Sequence, residues 1–194
     1  MSPAPSKVTE RGTVCDVIAS PEPLSFRPAT VSDADALAQA LVDGVEDYRS
    51  FAPPEWTPPS RVRVAEHLRG QLGDDEVWCL VAEAEGQLVG HVIVSPAARS
   101  ARPVDEPALA HMGNLFVRRD FWGSGLAKTL HEAATGEARA RGFDEMRLFV
   151  AAGQARARRF YEREGWMQAS EEFDDPGPGL VMVEYRYALR GRTP

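Results

Sequence analysis

Two cysteines, Cys15 and Cys79, are all that this 194-residue chain carries. They are too few and too far apart for a disulfide framework or a zinc site, and a chain of this length needs no staples. Positive charge is not in excess either. The net charge of -7 excludes sequence-independent nucleic-acid binding, which needs a basic surface to displace counterions. It favours cationic small molecules instead, weakly at physiological salt. No apolar run reaches the length that spans a bilayer. The N-terminal Met1-Ser-Pro-Ala-Pro-Ser-Lys has no hydrophobic signal core. A soluble protein of the reducing cytoplasm is the expectation. No internal repeat, metal-ligand spacing or Gly-x-Ser-x-Gly elbow is present. What is present is a 43% apolar composition, enough for one sizeable core.

Residues 1–22 carry prolines, serines and scattered charges without period, and read as a flexible extension in which 14–18 could pair as an edge strand. One domain is expected over 23–190. Leu24-Ser-Phe-Arg-Pro reads as a short strand. A helix follows, capped by Thr30 or Ser32, with Ala34, Leu37, Ala38, Leu41, Val42 and Val45 along one face. A proline-rich aromatic loop over 48–59 leads to a second helix, capped by Ser60 and running to about Leu72. Two apolar runs, 77–82 and 88–94, joined through Glu85-Gly86-Gln87, signal a β-hairpin. After a Pro- and Arg-rich loop over 95–107 the pattern alternates: strand 111–117, helix 124–141, strand 145–150 and helix 155–164. Strands near 166–168 and over 180–189 end it. Gly142 and Gly165 stand where a helix takes its left-handed cap. The order predicts an α/β fold with a single mixed sheet flanked by helices.

Chemistry concentrates in Asn114-Leu-Phe-Val-Arg-Arg-Asp-Phe-Trp-Gly-Ser-Gly-Leu-Ala-Lys-Thr-Leu. A strand runs through a glycine turn into a helix whose inward face is Leu126, Leu130, Ala133, Ala134 and Ala138. The start of such a helix offers unpaired N–H groups and the positive end of the macrodipole, which suit a phosphate. Gly123 and Gly125 would let a diphosphate reach the main chain. The dinucleotide fingerprint fails because Lys128 stands where it needs glycine. A nucleoside-triphosphate loop fails because Ala127 precedes Lys128-Thr129. A coenzyme A loop and plain helix–strand packing both stay open on this turn alone. About thirty residues on, Gly153-Gln-Ala-Arg-Ala-Arg-Arg-Phe-Tyr-Glu-Arg-Glu-Gly-Trp again follows a strand and forms a helix.

Together the two segments resemble the GCN5-related N-acetyltransferases. Their pattern is strand, Arg/Gln-x-x-Gly-x-Gly/Ala loop, helix, strand, Asn-x-x-Ala-x-x-x-Tyr and a Gly-aromatic pair. The resemblance spans roughly 24–189 and is specific over 111–166. It implies a sheet splayed between strands 111–117 and 145–150, because a pantetheine arm cannot enter between paired strands. It implies acetyl-CoA as acetyl donor, with no metal. Its diphosphate would lie on the amides of Trp122, Gly123, Ser124, Gly125, Leu126 and Ala127. Its pantetheine would bond the main chain of Leu115, Phe116 and Val117, and Gln154 would replace the family's cofactor-contacting Asn. Trp122 departs from the usual Arg or Gln. Tyr161 falls on the tyrosine beside the thioester sulfur, as the acid that protonates the leaving thiolate. Among Arg118, Arg119, Lys128, Arg156, Arg158 and Arg159, one or two should meet the coenzyme's phosphates.

The implied reaction is direct attack, in a ternary complex, by an amine of a small molecule or peptide. The alternative is a coenzyme A or acyl-CoA sensor without turnover. A homodimer is compatible with the resemblance; nucleic acid and membrane are not expected partners. His111, Glu83, Glu184 and a water stand as candidate general bases. His111 reads as a surface residue, Glu184 as a solvent-facing carboxylate, and His91 as a packed core or sheet-face residue. Loops 48–59, 95–107 and 170–179 should shape the acceptor site, the last with four acids.

Overall fold

The computed structural model describes residues 24–190. The expected extension 1–22, and with it the edge strand at 14–18, lies outside the described residues. The ordered chain begins with β1 (Ser25–Pro28), α1 (Ala34–Gly44) and α2 (Arg61–Leu72). The hairpin β2 (Trp78–Ala84) and β3 (Gln87–Pro96) and the strand β4 (Leu109–Val117) follow. Next come α3 (Leu126–Ala140), β5 (Glu145–Ala151) and α4 (Ala155–Arg163). The short strands β6 (Met167–Gln168) and β7 (Phe173–Asp175) and the long β8 (Leu180–Ala188) close it. The hairpin turn consists of Glu85 and Gly86, both with positive φ (52° and 69°), as a two-residue type I′ turn requires.

The strands form one mixed sheet in the order β1-β2-β3-β4-β5-β8-β6, with β7 on β8. All pairs are antiparallel except β4–β5. Helices α1 and α2 cover one face, packing Leu37, Ala38, Ala65 and Leu68 on Cys79, Val81 and Ile93. The opposite face carries α3 and α4. There Leu126, Leu130, Ala134, Ala138 and Tyr161 pack on Val92, Met112, Met146, Leu148 and Val150. The inward stripe of α3 is turned slightly from the expected one: His131 and Thr135 are buried and Ala133 is half-buried.

Both expected helix stops are observed. Gly142 and Gly165 hold φ of 86° and 92°, and the next amides reach back, Phe143 to the Ala138 carbonyl and Trp166 to that of Tyr161. Helix α3 starts later than its predicted position 124, because Gly125 has φ 91° and stands as its N-cap. The 170–179 stretch, read as a turn, contains β7; its Phe173 and Asp175 pair with Met182 and Leu180. No helix among the described residues is long and apolar enough to cross a membrane.

Candidate active site

The site begins with a defect in β4. Val92 lies opposite Leu115 and Val94 opposite Met112, so Gly113 and Asn114 together oppose Ile93. Such a bulge bends its strand and raises the local twist. On its other side β4 pairs with β5 at only three positions, Leu109–Glu145, Ala110–Met146 and His111–Arg147. Beyond that fork the strands part, and the sheet splays where the family resemblance placed the opening.

Register decides which groups face the gap. The Arg118 amide donates to the Val89 carbonyl at 2.8 Å. Alternation then directs the main-chain groups of Phe116 to β3, and those of Leu115 and Val117 away from it, towards the gap. Phe116 therefore does not offer the main-chain contact expected of it. Its ring instead stacks on His91 at 5.5 Å and lies against Gly44, where a methyl would meet it at 2.8 Å. His91 is fully buried, as expected, and burial holds its imidazole down to about 4.

The loop after β4 curls through positive φ at Gly123 (84°) and Gly125 (91°). Ser124 Oγ donates to the Phe121 carbonyl at 2.7 Å and accepts from the Leu126 amide at 3.3 Å. The amides of Gly123, Gly125 and Ala127 have no acceptor among the described residues. A side chain built at Gly123 or Gly125 would meet no protein atom within 4 Å. Open space over three free amides at the start of a fifteen-residue helix suits a diphosphate. Trp122 closes the other end of the loop. Its indole N–H donates to the Val117 carbonyl at 2.8 Å, and the Arg156 guanidinium stacks 3.6 Å from its ring centroid.

The basic residues sort themselves by partner. Arg118 is paired with Asp120, Arg119 with Asp47 and Lys128 with Glu132. Arg158 bonds the Tyr185 hydroxyl and the Ala152 carbonyl. Arg156 and Arg159 have no ion pair among the described residues. Partial burial, then the charges of Arg119 and Arg159, depress the Arg156 pKa. These two guanidinium groups are the ones free to meet phosphates.

Across the gap, α4 carries Tyr161, 8% exposed, with Phe160, Trp166 and Tyr185 around its ring at 5.4, 5.8 and 6.5 Å. Its hydroxyl makes no hydrogen bond to the described residues. Burial, and secondarily Tyr48, raises its pKa above the usual phenol value, so it stays protonated throughout the working range. Gln154 stands at the N-cap position of α4 without a side-chain cap bond, and burial raises the pKa of nearby Tyr48, with Gln154 opposing it. Tyr48 is the residue the sequence reading missed here; only its place in an aromatic loop marked it.

That loop is packed down hard. Tyr48, Phe51 and Trp56 cluster over Ala151 and Leu180, and the Trp56 indole donates to the Pro178 carbonyl at 2.8 Å. A methyl on Gly153 would sit 2.5 Å from the Phe51 ring. Gly153→Ala should therefore lift Phe51 and cost about 1–3 kcal/mol in a urea melt. An unchanged midpoint would mean that the loop does not rest on Gly153.

The candidate bases separate cleanly. Glu83 is tied to Arg27 at 2.6 Å on β2, two strands from the gap. His111 stands at the fork, not on the surface, its ring 5.5 Å from that of Phe149. Burial, then the Arg147 charge, pushes it down to about 3, so it is neutral but a feeble base. Glu184 is not solvent-facing either: its side chain is 18% exposed, held by Arg186 and paired in register with Phe149 just past the fork. Among the described residues no cluster of His, Cys, Asp or Glu could hold a metal ion.

This splayed sheet with a glycine loop opening a helix is the architecture of an acyl-CoA-dependent transferase. The acetyltransferase (GNAT) family model matches residues 41–166, and the chain belongs to that family, which uses acetyl-CoA. No curated protein matches it in sequence. Among solved structures it is similar to a GNAT-family acetyltransferase from Staphylococcus aureus, with TM-score 0.68 and 13% identity over 87% of this chain and 100% of that one. It is also similar to a ribosomal-protein-alanine N-acetyltransferase from Brucella melitensis, with TM-score 0.65 and 23% identity over 84% and 99%. The PaiA N-acetyltransferase from Thermoplasma acidophilum, in complex with coenzyme A, gives TM-score 0.62 and 16% identity over 85% and 99%. These three share its fold.

Proposed function

We propose that the protein transfers the acetyl group of acetyl-CoA to an amine of a small molecule or peptide, by direct attack in a ternary complex. The observation that carries the reading is the fork between β4 and β5 beside a loop with three free amides. The residues fit the donor. Gly123, Gly125 and Ala127 would hold its diphosphate through their amides, with Arg156 and Arg159 beside them, and Leu115 and Val117 would bond its arm. The bound coenzyme supplies an activated acyl group with a thiolate leaving group.

The protein's part is to position and to move protons. Attack forms a carbon–nitrogen bond and breaks the carbon–sulfur bond, so the amine must lose a proton and the sulfur gain one. Tyr161 is the donor to sulfur. A phenol whose pKa is raised further above the thiol's, about 8.5, is a weak acid in equilibrium terms. Its value lies in an unshared O–H inside a water-poor gap, hydrogen-bonding to charge as it develops. Glu184, just past the fork, is the carboxylate we assign to take the amine's proton, directly or through water.

The test is thiol release from acetyl-CoA across a panel of amines, with a thermal shift by coenzyme A alone measured in parallel. Release that depends on the amine supports acetyl transfer. A thermal shift with no release from any amine would leave the sensor reading in its place.

A further inference from the structure

On the α1 side of the sheet, over β5 and β8, lies a cavity of about 530 Å³ lined by none of the residues proposed to hold the coenzyme. The turns 95–107 and 170–179 wall it, as the sequence suggested for an acceptor site, and Arg147, Phe149 and Glu184 form its floor. Its volume lies within the range of small-molecule pockets, and it is open to solvent on one side. Arg147 is 2% exposed, yet it has no carboxylate partner among the described residues. Its Nη2 donates to Ser100 Oγ at 2.8 Å and to the Ala97 and Arg102 carbonyls, its Nε is buried without an acceptor, and its Nη1 bonds no described residue. A buried guanidinium lacking a counter-ion is costly to maintain. Arg102 stands beside it, stacked 4.4 Å from the Phe173 centroid with Asp175 at 3.6 Å. On the same rim, Glu171 and Glu172 have no ion pair among the described residues.

We propose that the acceptor is a small amino acid-like zwitterion, its carboxylate held by Arg147 with Arg102 and its reacting amine directed past Glu184 towards the gap. The inference rests on the acetyl-transfer reading and specifies its substrate. A guanidinium with unclaimed donors is suited to a carboxylate, and the missing counter-ion would arrive with the substrate. Arg147 sits at the closed end of the fork, so a carboxylate anchored there leaves the amine free to extend along β5 towards the gap.

The experiment compares kcat/KM for matched pairs that differ only in the carboxylate: lysine with cadaverine, ornithine with putrescine, phenylalanine with phenethylamine. In the unaltered protein the carboxylate-bearing member of at least one pair should be preferred by tenfold or more. Arg147→Gln and, separately, Arg102→Gln should reduce that preference at least tenfold. The preference is a ratio measured within each variant, so loss of folded protein cancels from it, and Arg102→Gln leaves the bonds of Arg147 to Ser100 and Ala97 in place. Equal use of both members in every pair, or a preference unchanged in both variants, overturns the inference while leaving acetyl transfer standing. No turnover of any amine overturns the acetyl-transfer reading, and this inference with it.

Discussion

Tyr161→Phe should lower turnover by about 100-fold or more, while the melting temperature and the affinity for coenzyme A stay where they are. The expectation comes from what the hydroxyl does and does not touch. The ring is packed among Phe160, Trp166 and Tyr185, and phenylalanine keeps those contacts. The hydroxyl has no hydrogen-bond partner among the described residues, so removing it strands no buried donor or acceptor. What disappears is the proton that the proposed mechanism gives to the leaving sulfur. Because burial raises the phenol pKa, its protonated form persists above the usual phenol range, and no alkaline loss of activity should trace to its ionisation. Steady-state kinetics with a saturating amine, alongside a melt with and without coenzyme A, distinguish the outcomes. Normal turnover in Tyr161→Phe would reassign the proton to water or to the acceptor, with Tyr48 the next phenol to alter.

Gly125→Glu should abolish the stabilisation by coenzyme A. At a hundredfold excess over its dissociation constant a ligand stabilises by about 2.7 kcal/mol, which for a chain of this size is a rise of roughly 5–11 °C in Tm. Two effects act at this position and they can be separated. Gly125 holds φ 91°, so any side chain incurs the left-handed penalty of about 1–2 kcal/mol. That cost lowers the melting temperature of the free protein whatever the substituent. Glutamate adds bulk and negative charge in the open space over the free amides of Gly123, Gly125 and Ala127, where no protein atom would hinder it. Gly125→Ala shares the strain without the charge, and should retain more of the shift. Equal shifts in the original protein and in Gly125→Glu would remove the diphosphate from this loop.

Much of this arrangement is legible in the chain because its signals are local. A glycine at the mouth of α3 and one after each of α3 and α4 signal positive φ, and all three positions have it, whereas Gly73 after α2 holds φ -88°. The residues that went unread depend on contacts between distant segments. Tyr48 comes near Gln154 and Tyr161 only because loop 45–60 packs on Ala151 and Leu180. Nothing in Met146-Arg-Leu-Phe-Val says that Arg147 is buried; the carbonyls that receive it come from a loop on another strand connection. His111 looked like surface because a strand end usually is, but here it lies between Ser95 and Arg147 in the sheet with the Phe149 ring beside it. The bulge at Gly113-Asn114 likewise has no sequence mark beyond a glycine. It was the family pattern, not periodicity, that placed the opening.

The fork has a consequence for the sheet as a whole. Three residue pairs are all that couple β1–β4 to β5–β8 by strand pairing. The sheet is thus two leaves paired only near His111 and Arg147, with the core under α3 and α4 spanning both and the facing edges beyond the fork left unpaired with each other. A donor whose amide-bearing arm bonds Leu115 and Val117 takes the place of a missing strand. It would join the leaves much as a mortise is filled by its tenon, and its binding free energy adds directly to the cohesion of the fold. Bound in that way, the cosubstrate would serve as a structural member, and loading with the donor first would also stiffen the floor on which the acceptor then rests.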